Sequence, residues 1–148
     1  MVNKKIVIIG GSAAGPKAVS KARRLDENAE ITIIQKSSDL SMAPCGYPYY
    51  VGGFFDDRNQ LLCSPAGVVR DSKFFWNAKK IHTLVNTEVT SINRSKKEVE
   101  YTNLINGEKG VAAYGKLVIT KLVVEKDTQR IIGAQVLGPG EVSKQVAI

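Results

Sequence analysis

Cysteine and histidine are scarce here: the 148 residues include two cysteines and one histidine. Cys45 and Cys63 cannot build the multi-bridge scaffold of small secreted domains, so a reducing, cytoplasmic compartment is expected. His82 has no cysteine or carboxylate at ligand spacing, and no metal site is expected from it. Long apolar runs are also missing. None reaches the roughly 18 residues of a membrane-crossing helix, so no membrane partner is expected. The apolar run near the N-terminus, Ile6–Ile9, is too short for a signal peptide. Acidic residues are outnumbered, 14 Asp and Glu against 21 Lys and Arg, for a net charge of +7. A basic balance admits nucleic acid or phosphorylated small molecules as partners. The basic residues are scattered and no aromatics interleave with them, which argues against nucleic acid. At 43% hydrophobic and 24% charged residues, with no repeats, the chain reads as an ordinary globular protein with a real core.

What is present begins with Lys5–Ile9, a short continuous apolar run of the kind found in a parallel strand buried on both faces. It leads into G-G-S-A-A-G, Gly10–Gly15, and then into a helical stretch from Ala14 to about Leu25. In that helix Ala14, Ala18, Ala22 and Leu25 form a narrow small-residue face expected to pack on a sheet. Lys17, Lys21 and Arg24 form a separate basic stripe. Asp26-Glu27-Asn28 ends the helix, and Ile31–Ile34 makes a second strand, completing a βαβ unit. A glycine turn between a buried strand and a helix is the dinucleotide-binding arrangement, here with Ser12 at the second glycine of G-x-G-x-x-G. Gly10 permits the turn, Ser12 keeps the backbone close to a pyrophosphate, and Gly15 allows tight helix–sheet contact. Amides near Ala13 and Ala14 should then face the phosphates. The residue placed to hold a ribose is Gln35, which accepts a hydrogen bond without the charge of the usual Asp or Glu.

Residues 54–67 read as loop and Val68–Lys80 as a helix with Phe74, Phe75 and Trp76 on an apolar side. Thr83–Asn93 and Val99–Asn103 alternate around Arg94-Ser95-Lys96-Lys97 as a hairpin. A second turn at Asn106-Gly107 leads to Val111–Tyr114, and Leu117–Ile119 is another buried-type strand. After Thr120 the pattern changes: Lys121–Lys126 and Arg130–Leu137 read as a hairpin across Asp127-Thr128-Gln129, followed by the start of a helix at residues 141–148. The expected organisation is residues 1–120 as one unit and 121–148 as the start of another.

The chemistry centres on Ser41–Gly53, S-M-A-P-C-G-Y-P-Y-Y-V-G-G. Pro44 biases Ala43 toward an extended conformation, and Gly46 lets backbone approach a planar ligand. A helix beginning just after Cys45 would favour its thiolate; the competing reading is a buried, inert cysteine in a tight loop. Cys63 reads as an incidental thiol, and Tyr47, Tyr49 and Tyr50 fit either shielding of a planar ligand or packing.

Together G-G-S-A-A-G, K-A-R-R-L-D, A-E-I-T-I-I-Q-K, the Cys45 segment and N-T-E-V resemble the coenzyme A-disulfide reductase and NADH oxidase branch of the pyridine nucleotide-disulfide oxidoreductases. The similarity runs over residues 4–119 and implies an α/β fold: a Rossmann-like FAD-binding domain with a parallel sheet and an added antiparallel hairpin region. It implies that FAD is held by the turn Gly10, Gly11, Ser12, Ala13, Ala14 and Gly15, with Gln35, Lys36 and Val89. Cys45 would be a single redox thiol beside the flavin, because Tyr50 stands where relatives with a C-x-x-x-x-C pair carry the second cysteine. The basic stripe, Lys17, Lys21 and Arg24, with Ser41 nearby, would hold the coenzyme A moiety of a small-molecule disulfide. Pro44 departs from the asparagine frequent before that cysteine. NAD(P)H is the implied electron donor in the full-length enzyme, and a homodimer its implied assembly. K-L-V-V-E-K-D-T-Q-R-I-I-G-A-Q-V-L-G-P-G-E-V resembles the opening of the family's dimerisation domain, so the NAD(P)H-binding part is expected to be absent between the two pieces. Competing expectations are a non-catalytic FAD- or nucleotide-binding fragment, an NADH oxidase, and a basic nucleic-acid-binding domain.

Overall fold

The computed structural model describes residues 4–124 and 131–137, with side-chain environments through residue 120. Strand β1, Lys5–Ile9, lies at the centre of a five-stranded sheet ordered β3-β2-β1-β7-β8. Strand β2 is Glu30–Ile34, β3 Ile81–Leu84, β7 Lys116–Val124 and β8 Ile131–Leu137. Strands β1, β2, β3 and β7 are parallel, with Ile8 opposite Ile33 and Val118. Strand β8 runs antiparallel to β7. The continuous apolar runs follow from burial on both faces: Ile8, Ile31, Ile33 and Ile81 are fully buried on one side with Val19 and Phe75. Val7 and Ile34 point the other way, onto Val99 of a second sheet. That sheet is antiparallel, β4 Thr87–Asn93, β5 Glu98–Asn103 and β6 Lys109–Ala113, in the order β4-β5-β6. The expected fold class is therefore found: α/β, Rossmann-like, with a parallel sheet and an added antiparallel layer.

Helix α1, Ala14–Leu25, has the expected bounds, but only part of the expected face packs inward: Ala22 meets the core and Ala18 is half-buried, whereas the ends of the stripe are not. Gly15, Pro16 and Val19 are buried, Ala14 is exposed and Leu25 is 74% exposed. Two causes fix this rotation. Gly15 seats directly against the Gly10 carbonyl, and Val19 buries more apolar surface than any alanine of the expected stripe. Lys17, Lys21 and Arg24 remain exposed on the outer side.

Two other expectations are corrected. The segment read as one strand from Thr83 to Asn93 is divided: β3 joins the parallel sheet, and a turn with Asn86 at φ 50° starts β4. The second apolar helix is α3, Ser72–Lys79, shorter than Val68–Lys80 because Asp71 caps it, accepting a hydrogen bond from the Phe74 amide at 2.8 Å. Of its three consecutive aromatics Phe75 is buried in the core, Phe74 packs half-buried against it, and Trp76 is 44% exposed. Within residues 54–67 the chain makes a 3-10 turn, Arg58–Leu62, capped by Asp57. The hairpins around residues 94–97 and at Asn106-Gly107 form as expected. Residue 120, expected to close the first unit, lies inside β7. The turn at residues 127–129 and the helix start at 141–148 lie outside the described residues.

Candidate cofactor and thiol site

The glycine turn follows β1 at the carboxyl edge of the parallel sheet, where open α/β sheets bind ligands. Gly10 has φ +105°, and a side chain there would strike Thr120 on β7. Thr120 Oγ1 itself donates toward the Ile9 and Gly10 carbonyls, at 3.1 and 3.3 Å. A Cβ at Gly15 would overlap the Gly10 carbonyl oxygen, and one at Gly11 would come within 2.6 Å of Leu40. The turn thus has no room for side chains on its inner side. Ser12, Ala13 and Ala14 are exposed on its outer side. No side chain caps α1, and Pro16 removes one of the amides that would otherwise lack a partner. The free amides of this turn and the positive end of α1 form a cradle for an anion, as a pyrophosphate requires.

Gln35 is built into the same turn. Its Oε1 accepts from the buried Gly11 amide at 2.7 Å, and its Nε2 donates to Ser37 Oγ at 2.5 Å. One lone pair of Oε1 remains for a ribose hydroxyl, so ribose contact and turn anchoring share one atom. The Gln35 backbone receives an amide hydrogen from Thr87, and its own amide donates to Leu84. Next to it Lys36 Nζ pairs with Glu88 at 2.7 Å, across to β4. Lys36 and Glu88–Val89 are thereby brought to the same end of the molecule as Gln35. Val89 is half-buried, packed with Val7, Ile34 and Val99, at a register shift of β4. These residues fit the adenosine half of a dinucleotide cofactor: a steric cradle of glycines, free amides for phosphate, and an acceptor at the end of β2.

The cysteine segment is tied to that turn. The Ser41 amide donates to the Gly11 carbonyl at 2.7 Å, with Ser41 at φ 59° and buried. Ala43 then donates to the Leu61 carbonyl at 2.9 Å, fixing the loop on the 3-10 turn of residues 58–62. Pro44–Gly46 form a second 3-10 turn, and α2, Tyr47–Val51, starts directly after it. Cys45 is exposed, so the inert-core reading does not hold. Gly46 packs closely on Leu61, whose methyl tip would have to shift to admit a Cβ there, 2.5 Å away. Tyr47, Tyr49 and Tyr50 are between 37% and 56% exposed around Cys45, beside Phe54 at 79%. Cys63 is half-buried and lies past the 3-10 turn, where its carbonyl accepts from Arg70.

Three residues that hold this arrangement were missed in the sequence reading. Arg58 pairs with Asp39, clamping the 3-10 turn to the segment that leads into Ser41. The hydrogen bond and then the charge of Asp39 raise the Arg58 guanidinium above its ordinary range. Thr120 closes the glycine turn from β7. Neither had a local signal, because each partner lies far away in sequence. Among the described residues no cluster of His, Cys, Asp and Glu could hold a metal ion. No described helix is long and apolar enough to cross a membrane.

Residues 4–121 match the model of the pyridine nucleotide-disulphide oxidoreductase family. The chain belongs to that family. Coenzyme A disulfide reductase of Staphylococcus haemolyticus is 35% identical over 117 residues, which are 79% of this chain and 25% of the relative. Among solved structures, a NAD-dependent persulfide reductase from A. fulgidus superposes with TM-score 0.75 and 38% identity, over 82% of this chain and 23% of that one. Reduced CoADR-RHD from Bacillus anthracis superposes with TM-score 0.73 and 29% identity, over 85% of this chain and 22% of that one. The chain therefore spans about a quarter of the curated relatives' length. The matched region contains the glycine turn, the Cys45 loop and both sheets up to the start of β7's second half.

Proposed function

We propose that this chain is the FAD-binding part of an oxidoreductase that reduces a low-molecular-weight disulfide or persulfide through one thiol, Cys45, with coenzyme A disulfide the foremost substrate. The single observation that supports it is the hydrogen bond from Ser41 to Gly11, which fastens an exposed cysteine loop to a glycine cradle. Gly10, Gly11, Ser12, Ala13, Ala14 and Gly15 would hold the pyrophosphate, Gln35 the ribose, and Lys36 and Val89 the adenine end. FAD bound there would supply a two-electron couple fed by NAD(P)H in the whole protein. Cys45 thiolate attacks one sulfur of the substrate disulfide: the Cys45–sulfur bond forms, the substrate S–S bond breaks, and the leaving thiolate takes a proton from solvent. Exposure of Cys45 in a loop anchored at Ser41 and Ala43 permits approach by such a substrate. Lys17, Lys21 and Arg24 lie exposed on one side of α1 and would meet the substrate's phosphates, with Ser41 in support. Since Ser41 is buried, its contribution would be made through the backbone it fixes.

The relatives named above as coenzyme A disulfide reductase and persulfide reductase support this substrate class. Because the chain spans a quarter of their length, a binding fragment without turnover is the second reading. A cytoplasmic homodimer completes the proposal for the whole protein. The test is titration of the purified chain with FAD, read by flavin absorbance and fluorescence. Saturable binding that is lost in Gly15→Ala, with the fold retained by circular dichroism, is the expected result. A folded wild-type chain that leaves free flavin unperturbed would refute the assignment. Turnover of coenzyme A disulfide by the full-length protein, absent after Cys45→Ser, separates the enzyme from the fragment reading.

A further inference from the structure

The edge of the parallel sheet opposite the glycine turn carries a second concavity that the proposed chemistry does not use. Its volume is about 480 Å³, and five lysines, Lys4, Lys5, Lys96, Lys97 and Lys116, stand around Tyr114. Three separate segments bring them together. Lys4 and Lys5 lead into β1, and Lys116 opens β7, which pairs with β1 through Ile6 opposite Lys116. Lys96 and Lys97 belong to the turn between β4 and β5. Backbone hydrogen bonds fix the convergence: Tyr114 donates to the Lys97 carbonyl and Gly115 to the Lys5 carbonyl, each at 2.8 Å. Lys97 is held at φ 55°, a conformation that a lysine adopts only where its surroundings demand it. The length of β1, about 13 Å at strand rise, separates this groove from the glycine turn.

The charges are only partly compensated. Lys4 pairs with Asp26 at 3.4 Å and Lys5 with Glu30 at 3.8 Å. Lys96, Lys97 and Lys116 make no ion pair among the described residues, although Glu98 is near by register opposite Ala113. Three lysines without an ion-pair partner among the described residues border a groove with a tyrosine wall and raise the positive potential along it. Lysines act as mobile point charges and suit phosphate oxygens presented at several angles. A nucleic-acid strand would need a linear stripe of cations with stacking platforms, and this cluster is a short patch with one aromatic.

We propose that this groove is a binding site for an oligophosphate chain, carried either by an inorganic oligophosphate or by a nucleotide. Calorimetric titration of the purified chain with tripolyphosphate, ATP and a short single-stranded oligonucleotide at matched ionic strength tests it. Saturable one-to-one binding of tripolyphosphate is expected. The triple variant Lys96→Gln, Lys97→Gln, Lys116→Gln should weaken it roughly tenfold, from three screened contacts of a few-fold each. Lys73→Gln, Lys79→Gln, Lys80→Gln removes equal charge from α3 and the residue that follows it, and should leave binding within about twofold. Amide shifts of Lys97, Tyr114 and Gly115 should move on titration, which separates this groove from the glycine turn. ATP bound no tighter than tripolyphosphate assigns the inorganic chain; ATP bound tighter, with the same amides moving, assigns a nucleotide. Equal weakening by both triple variants, unmoved groove amides, or preference for the oligonucleotide overturns the proposal. Circular dichroism of each variant checks the fold.

Discussion

Gln35 offers a stringent test because one side-chain oxygen carries two separable tasks. Gln35→Leu removes the acceptor of the Gly11 amide while keeping a side chain of similar bulk against Leu40 and the turn. The Gly11 amide is then left buried without a partner, which costs about 1–3 kcal/mol. The lost contact to the exposed Ser37 hydroxyl adds little. For a domain of this size that loss lowers the unfolding midpoint by about 2–12 °C. Gln35→Glu, by contrast, keeps an acceptor on Gly11 and makes it charge-assisted, and it turns a second oxygen toward the ribose position. Its midpoint should stay near that of the parent, and flavin should bind about fivefold tighter, from roughly 1 kcal/mol of added hydrogen-bond strength. Thermal unfolding by circular dichroism reads the first quantity, and flavin fluorescence the second. If Gln35→Leu melts with the parent, the bond to Gly11 does not hold the turn and the anchoring argument fails. If Gln35→Glu loosens flavin, the adenosine does not lie beside this residue.

Three further outcomes are expected. Competitive alkylation near neutral pH, read by peptide mass, should label the exposed Cys45 before the half-buried Cys63; equal labelling would contradict the assignment of the reactive thiol. Changing Lys17, Lys21 and Arg24 together to Glu in the full-length protein should raise the KM for coenzyme A disulfide and leave that for an uncharged disulfide unchanged. Each exposed contact contributes about 0.3–1 kcal/mol, so added salt should partly reproduce the effect, and equal slowing of both substrates would return the stripe to solvent. Asp71→Ala should cost about 1 kcal/mol through loss of the α3 cap, measured by urea unfolding; no change in midpoint would place the start of the helix elsewhere.

Local chemistry alone determined much of this molecule. The apolar run Lys5–Ile9, the glycine turn and α1 are neighbours in sequence, and their periods and turn residues specify a βαβ unit without reference to anything distant. The exposed hairpins followed from turn residues for the same reason. What sequence could not settle was which side of each element faces inward. The ends of the small-residue stripe of α1 gave way to Gly15 and Val19 because the Gly10 carbonyl, a backbone feature, sets the helix rotation. The apparent strand from Thr83 to Asn93 was split because its first half finds β2 as a parallel neighbour, a partner remote in the chain. Only the tertiary fold joined Ser41 to Gly11, Arg58 to Asp39 and Thr120 to the glycine turn, since each contact spans a separation that no local pattern encodes. The lysine groove belongs to the same class. Its residues are unremarkable in sequence, and their convergence exists because β1 and β7 begin, and the β4–β5 turn lies, at one edge of the packed sheets.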